Sequence, residues 1–317
     1  MRVVVTGAAG FVGRATCRRL AEAGHAVTAV VRGVADGPLH AAHIHRIADV
    51  ATFDGWPDVL AGTDAVVHLA ARVHVMRDDA ADPLAEFRRV NTVGTERLAR
   101  AAAAAGARRF VYASSIKVNG EATFDRPFTE QSTPAPVDPY GVSKLEAERA
   151  IASVAAATGI EPVVVRPPLV YGPGVGGNFL RMMRWVHRGL PLPLASVDNR
   201  RSLVAVRNLA DLLAASVSHP QAAGRTFLVA DGDDLSTPQL LRAMAEALGV
   251  RARLVACPRG LLSLAARLTG QSESLERLTG SLRVDASLAR HVLGWSPPVT
   301  VRQALAETAR WYTEQTA

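Results

Sequence analysis

The chain has 317 residues, 49% of them apolar, enough for two domains or for one large α/β domain with an appendage, and too apolar for a disordered protein. Its two cysteines, Cys17 and Cys257, show no CxxC or ligand spacing, which argues against a disulfide framework or a zinc site and fits a reducing compartment. The formal net charge is +7, but the basic residues are dispersed and lack interleaved aromatics, so a small anionic ligand explains them better than nucleic acid does.

In chain order, Val3–Thr6 reads as a strand buried on both faces, because it is apolar without alternation. A glycine turn follows, then a helix over Phe11–Ala23 stopped by Gly24. Strands are expected at Ala26–Val31, Ile44–Ile47, Ala65–Leu69 and Phe110–Ala113, with one long helix from Pro83 to Ala105 ending at Gly106. The proline-rich stretch 119–139 is expected to be loop, followed by a helix over Tyr140–Ala157 and a strand over Pro162–Arg166. This alternation predicts a doubly wound parallel sheet with right-handed crossovers.

After Arg166 the pattern loosens. "RPPLVYGPGVGG" is too rich in proline and glycine for regular structure. Further helices are expected at Phe179–Arg188, Pro238–Leu248, Leu261–Thr269, Ala286–Leu293 and Arg302–Thr313, with strands at Leu203–Val206 and Thr226–Val229. The expected division is a Rossmann-type domain over 1–166, including about 203–230, and a smaller, partly helical C-terminal substrate lobe over 167–317, interleaved with the first. No leader pattern precedes Val3–Val5, and no apolar run is long enough to span a membrane. The expectation is therefore a cytoplasmic protein that does not partner a membrane.

Two motifs carry chemistry. "TGAAGFVG" (6–13) places Gly7, Gly10 and Gly13 between a strand and a helix. There the backbone approaches a pyrophosphate closely and the helix N-terminus offers its N–H groups. Arg32, just past the second strand, and Arg14 stand where an acid would hold the ribose of NAD; two arginines favour a 2′-phosphate, hence NADP(H). Asp49 is placed to accept from the adenine amine. The second motif, "PYGVSK" (139–144), sets Tyr140 and Lys144 on one helical face. A phenol with an ordinary pKa near ~10 becomes a useful acid/base beside an ammonium and an oxidised nicotinamide.

These segments, with "VVHLAA" (66–71), "NTVGT" (91–95), "SSIKVNG" (114–120), "RPPLVYGPG" (166–174) and "LGW" (293–295), resemble the extended short-chain dehydrogenase/reductase family of epimerase/dehydratase type over nearly the whole chain. The resemblance implies a Rossmann domain, a nucleotide-sugar substrate, and Ser115, Tyr140 and Lys144 as the catalytic set. It implies a cofactor site that adds Phe11, Val12, Val50, Leu69, Ala70, Ala71, Asn91 and Pro167 to the residues above. It adds Ser115 and Lys117 as substrate-binding residues and places Asn178, Arg201 and Arg277 (or Arg283) near the sugar diphosphate.

One departure is informative. The dehydratase branch carries Asp and Glu after its catalytic hydroxyl, whereas this chain carries Ile116 and Lys117, so it is not expected to be a 4,6-dehydratase. The expected activity is reduction of a UDP-4-keto-(6-deoxy-N-acetyl)hexose in surface polysaccharide synthesis, with NAD(P)(H) as cofactor and NADP(H) favoured. UDP-glucose or UDP-N-acetylglucosamine 4-epimerisation is the alternative. A non-catalytic NADP-sensing protein is the alternative of another class. A homodimer is expected, through the helix after Pro83 and the Tyr140 helix.

Overall fold

A computed structural model describes residues 1–34, 37–73, 82–270 and 272–316. Its centre is a sheet of seven strands, all parallel, in the order β3-β2-β1-β4-β5-β6-β9. The strands are β1 (Arg2–Thr6), β2 (Ala26–Val31), β3 (His43–Arg46), β4 (Ala65–His68), β5 (Arg109–Ala113), β6 (Glu161–Arg166) and β9 (Arg225–Leu228). Both faces of the central strands are covered, which is why those strands lack polar alternation, whereas the edge strand β3 is exposed along its length. Val3 and Val5 enter the core beneath α1 (Phe11–Glu22) and α7 (Val206–Ser218). Val4, Val66 and Phe110 enter the core on the opposite face, beneath α2 (Trp56–Val59), α4 (Gly94–Ala104) and α5 (Pro139–Thr158).

The expected Pro83–Ala105 helix is three pieces: α3 (Pro83–Phe87), a π-helical turn over Arg88–Val93, and α4. The four-residue helix α2 was not anticipated. Leu169–Tyr171, expected to be irregular, forms β7 and pairs in parallel with β8 (Leu203–Ala205). Three strand residues between proline and glycine suffice because their partner comes from elsewhere in the chain.

This small sheet opens a second core around Tyr171, Phe179, Met183, Leu203, Leu241, Met244, Leu305 and Tyr312. That core includes residues of α6 (Gly177–His187), α8 (Thr237–Ala247) and α12 (Val301–Thr316). The pair α9 (Arg259–Leu268) and α10 (Ser272–Thr279), the latter also unanticipated, and α11 (Ser287–Leu293) complete the chain. A small cluster of Ile116, Leu228, Ala230, Leu282 and Val284 stitches the late segment to the sheet's carboxyl end.

Candidate active site

The sheet order reverses between β1 and β4, so their carboxyl ends part and leave a crevice, the place where open α/β sheets bind ligands. Gly7 follows β1 with φ +66°, and a Cβ there would lie 2.7 Å from the Ala70 nitrogen. A Cβ on Gly13 would lie 2.1 Å from the Gly7 oxygen, so helix and loop close on each other only without side chains. Gly10 caps α1 with no side-chain hydrogen bond and no acid in the first turn. The N–H groups at Phe11, Val12 and Gly13 therefore open the helix uncapped, a fit for the pyrophosphate of a dinucleotide.

Below the loop runs a buried polar chain. Thr6, His68 and Tyr112 are register neighbours across β1, β4 and β5. The Thr6 hydroxyl is 2.6 Å from His68 Nδ1, and His68 Nε2 is 2.9 Å from the Thr95 hydroxyl. Thr95 donates onward to the Asn91 carbonyl at 2.6 Å, which makes it the acceptor from Nε2–H and leaves Nδ1 to accept from Thr6. Burial, with a lesser push from Lys144, lowers His68 to about 3. The ring is neutral and fixed in one tautomer.

Asn91 sits in the π-turn. Its amide nitrogen donates to the Arg72 carbonyl and to the Ser143 hydroxyl, each at 3.0 Å, and its amide oxygen accepts from Arg72 N–H. It thereby ties the segment after β4 to the Tyr140 helix, the kind of site where π-turns recur.

The expected catalytic set is brought together at the end of β5. Ser115 caps a 3-10 turn over Ile116–Val118, accepting from Lys117 N–H at 3.2 Å, and its hydroxyl lowers the pKa of the Tyr140 phenol. Asp138 caps α5 by accepting from Gly141 N–H at 2.7 Å. A Cβ on Gly141 would lie 2.9 Å from the Lys117 carbonyl, so this glycine lets the Tyr140 helix seat against the Ser115 turn. Lys144 donates to the Ala113 carbonyl at 2.7 Å and lies 4.4 Å from the Tyr112 ring centre and 5.9 Å from that of Tyr140. Burial pushes the Tyr140 phenol up to about 12, with Asp138 adding and Ser115 opposing. Burial pushes the Lys144 ammonium down to about 7 against the pull of Glu148.

Glu148 was not singled out from the sequence, yet it braces the site one turn beyond Lys144. It accepts from the Ser114 hydroxyl at 2.5 Å and takes both carboxylate contacts from Arg166, at 2.9 and 2.5 Å. Arg166 also donates to Asn119 at 3.1 Å. Ser114 is thus the structural hydroxyl of the pair. Ile116 is 4% exposed and packed on Leu282 and Val284. Lys117 is ion-paired to Glu121 at 2.8 Å and to Asp138. Neither occupies its position with an acid.

At the ribose end, Arg32 is exposed just past β2. Arg14 donates to the Ala9 carbonyl at 3.0 Å and reaches toward Gly37 in the loop beyond β2. Asp49 accepts from Ala51 N–H and pairs with Arg89 at 2.7 Å, and its backbone neighbour Val50 packs against Gly94. Leu69 and Ala70 donate to the Thr6 hydroxyl, Ala71 follows them, and Pro167 accepts from Ile116 N–H at 2.9 Å beneath the Ser115 turn.

The late segment is arranged differently. Asn178 is exposed on the first turn of α6. Arg201 is half-buried and donates to the Gly280 carbonyl at 3.0 Å, while burial lowers its pKa. Arg277 lies in the last turn of α10, and Arg283 donates to the Phe124 and Asp125 carbonyls. Among the described residues no group of acids, histidines and cysteines could hold a metal ion.

The residues missed from the sequence had a signal: Thr6, His68 and Arg166 each end an apolar strand with a polar side chain, at the sheet edge that carries the crevice.

Residues 3–230 match the family model described as the NAD dependent epimerase/dehydratase family. A UDP-glucose 4-epimerase of Vibrio cholerae is 41% identical, over 98% of this chain and 95% of that protein. A GDP-6-deoxy-D-mannose reductase of Pseudomonas aeruginosa is 30% identical, over 96% and 94%. Among solved structures, MoeE5 in complex with UDP-glucose and NAD superposes with a TM-score of 0.79 at 28% identity over the whole of both chains. A Thermotoga maritima UDP-glucose 4-epimerase with UDP-glucose gives 0.81 at 21% identity, also over the whole of both chains. The chain belongs to the NAD-dependent epimerase/dehydratase family of extended short-chain dehydrogenases/reductases, enzymes built on the Rossmann-like sheet described above.

Proposed function

We propose that this enzyme reduces the C4 ketone of a UDP-4-keto-hexose, of 6-deoxy-N-acetyl type, for surface polysaccharide synthesis. The observation that carries the reading is the meeting of Ser115, Tyr140 and Lys144 at the end of β5, in the sheet whose β1 leads into the glycine loop. Ser115 and Tyr140 hydrogen-bond the C4 oxygen and hold the sugar in register. Tyr140 retains its proton at neutral pH and delivers it to that oxygen, while Lys144 offsets charge at the phenolate left behind. The bound dinucleotide supplies the hydride. Lys144 would hold the cofactor ribose, the α1 N-terminus its pyrophosphate, Asp49 its adenine, and Arg14 with Arg32 the 2′-phosphate of NADPH. Asn178, Arg201 and Arg277 would receive the nucleotide diphosphate in the C-terminal lobe, the second unit of a two-lobed chain. Ile116 and Lys117 supply no acid for expelling water, so the product keeps its remaining hydroxyls.

The 41% identity to a UDP-glucose 4-epimerase supports a second reading, inversion at C4 with a retained NAD. Incubation with UDP-N-acetylglucosamine and with its 4-keto-6-deoxy derivative separates the two. Stoichiometric NADPH oxidation by the keto sugar is expected. Inversion without net cofactor use would replace the reductase by the epimerase, and silence toward both would remove the C4 reading. The cytoplasm is the proposed compartment. A two-fold dimer through the outer faces of α4 and α5 is also proposed, and light scattering at twice the chain mass checks it. Ala99 and Ala102 are already used inward, against the sheet.

A further inference from the structure

Surface helices bury their apolar side, but α9 turns three of its four leucines outward. In "RGLLSLAARL" Ala266 is buried, whereas Leu261, Leu264 and Leu268 are 59%, 55% and 80% exposed. Their i, i+3, i+7 spacing makes one ridge, and Val255, just upstream, is 51% exposed. The exposed Arg267 stands next to Leu268 and one turn from Leu264. The segment that carries this ridge is basic on balance. From Arg251 to Thr279 it holds five arginines (Arg251, Arg253, Arg259, Arg267, Arg277) and two glutamates, Glu273 and Glu276, both on α10, which packs against α9: +3 of a net +7. Arg251 and Arg253 are exposed, and Glu246 is ion-paired with Arg302.

We infer that this face docks on an anionic phospholipid surface, with Leu261, Leu264 and Leu268 entering the interface and Arg251, Arg253 and Arg267 meeting lipid phosphates. This goes beyond the catalytic reading, does not rest on it, and replaces the expectation of no membrane partner with a peripheral one. A second copy fits poorly, because a two-fold contact would press one net-basic patch against another. The ridge also offers on the order of 300 Å² of apolar surface, against the roughly 800 Å² per partner of a stable protein interface. Spanning is a different matter. α9 has 10 residues, and no helix among the described residues is long and apolar enough to cross a membrane. Shallow apolar insertion combined with basic charge gives reversible, salt-sensitive attachment.

Sedimentation of the full chain with vesicles tests this. One set is pure phosphatidylcholine, the other three parts phosphatidylcholine to one part phosphatidylglycerol. Binding is expected on the anionic set only, and raising salt to about 0.5 M should release it. The Leu264→Asp/Leu268→Asp variant should lose binding tenfold or more. Arg251→Glu/Arg253→Glu, on a separate segment, should lose about fivefold per charge removed. Unchanged thermal melts keep both variants interpretable. The inference is overturned if wild type stays in the supernatant with both vesicle sets, or if the leucine variant sediments as wild type does. It is equally overturned if light scattering shows those leucines holding a dimer that ignores vesicles.

Discussion

The two halves of the proposed site are fastened in opposite ways. Around Ser115, Tyr140 and Lys144, buried side chains hold one another: Thr6 to His68 to Thr95, Asn91 to Ser143, Glu148 to Ser114 and Arg166. In the C-terminal lobe the candidate substrate groups lean on the backbone, as Arg201 does on Gly280, or face solvent, as Asn178 does. Reacting atoms need positions fixed to fractions of an ångström, whereas a diphosphate needs charge within reach. Changes in the first half should therefore strike turnover and stability, and changes in the second should strike affinity.

The largest effect is expected from Tyr140→Phe. Turnover should fall by about a thousandfold, since a positioned proton donor contributes on that scale, while cofactor titration followed by fluorescence stays at the wild-type level. Turnover at the wild-type rate would remove Tyr140 from the chemistry.

Glu148→Gln comes next. Arg166 and Glu148 have side chains only 7% and 9% exposed, so the substitution leaves a buried guanidinium unmatched and should cost about 3 kcal/mol in urea unfolding. It also removes the charge that raises the Lys144 pKa against the effect of burial. The other groups around Lys144, namely Tyr112, Tyr140 and neutral His68, supply no replacement. The limb of the pH–rate profile that reports Lys144 should move to lower pH. A destabilised variant with an unmoved profile would make Glu148 a brace alone.

A smaller change is expected in the other lobe. Arg201→Ala should raise KM for the nucleotide sugar about tenfold, the value of one charged hydrogen bond, with kcat nearly intact. A fall in kcat at constant KM would erase the contrast between the halves.

Much of this was readable beforehand, for identifiable reasons. The parallel strands announce themselves because burial on both faces demands unbroken apolar runs such as Val3–Val5. The nearness of Tyr140 and Lys144 is legible because they share a helical face, whereas Ser115 enters through the family resemblance, and the catalytic role of all three is the proposal. Glu148 extends the same four-residue spacing and was available to the same reasoning. The π-turn was not legible, because its wider hydrogen bonding follows from Asn91 reaching both Arg72 and Ser143, contacts distant in sequence. Nor was the burial of Ile116, which depends on Leu282 and Val284. β7 was hidden for the same reason, having only β8 to define it.

His68 gives the mildest test, and it isolates the buried chain from the reaction. The folded protein holds this ring neutral down to about 3, whereas the unfolded chain protonates it near the ordinary 6.5. Between those values the unfolded state binds one more proton, so the neutral ring's contribution is fully present above 6.5 and drains away as the pH falls toward 3. From pH 7 to 5.5 the loss should be roughly 1 kcal/mol. Carboxylates titrate in the lower part of this range in any protein, so the informative quantity is a difference. His68→Gln cannot take up that proton, and its stability should decline less steeply than the wild type's over the same interval, whatever it loses at pH 7. Parallel slopes in urea unfolding would mean that His68 is already free to ionise in the folded state. The Thr6–His68–Thr95 chain would then lack the fixed direction inferred from Thr95 donating to Asn91.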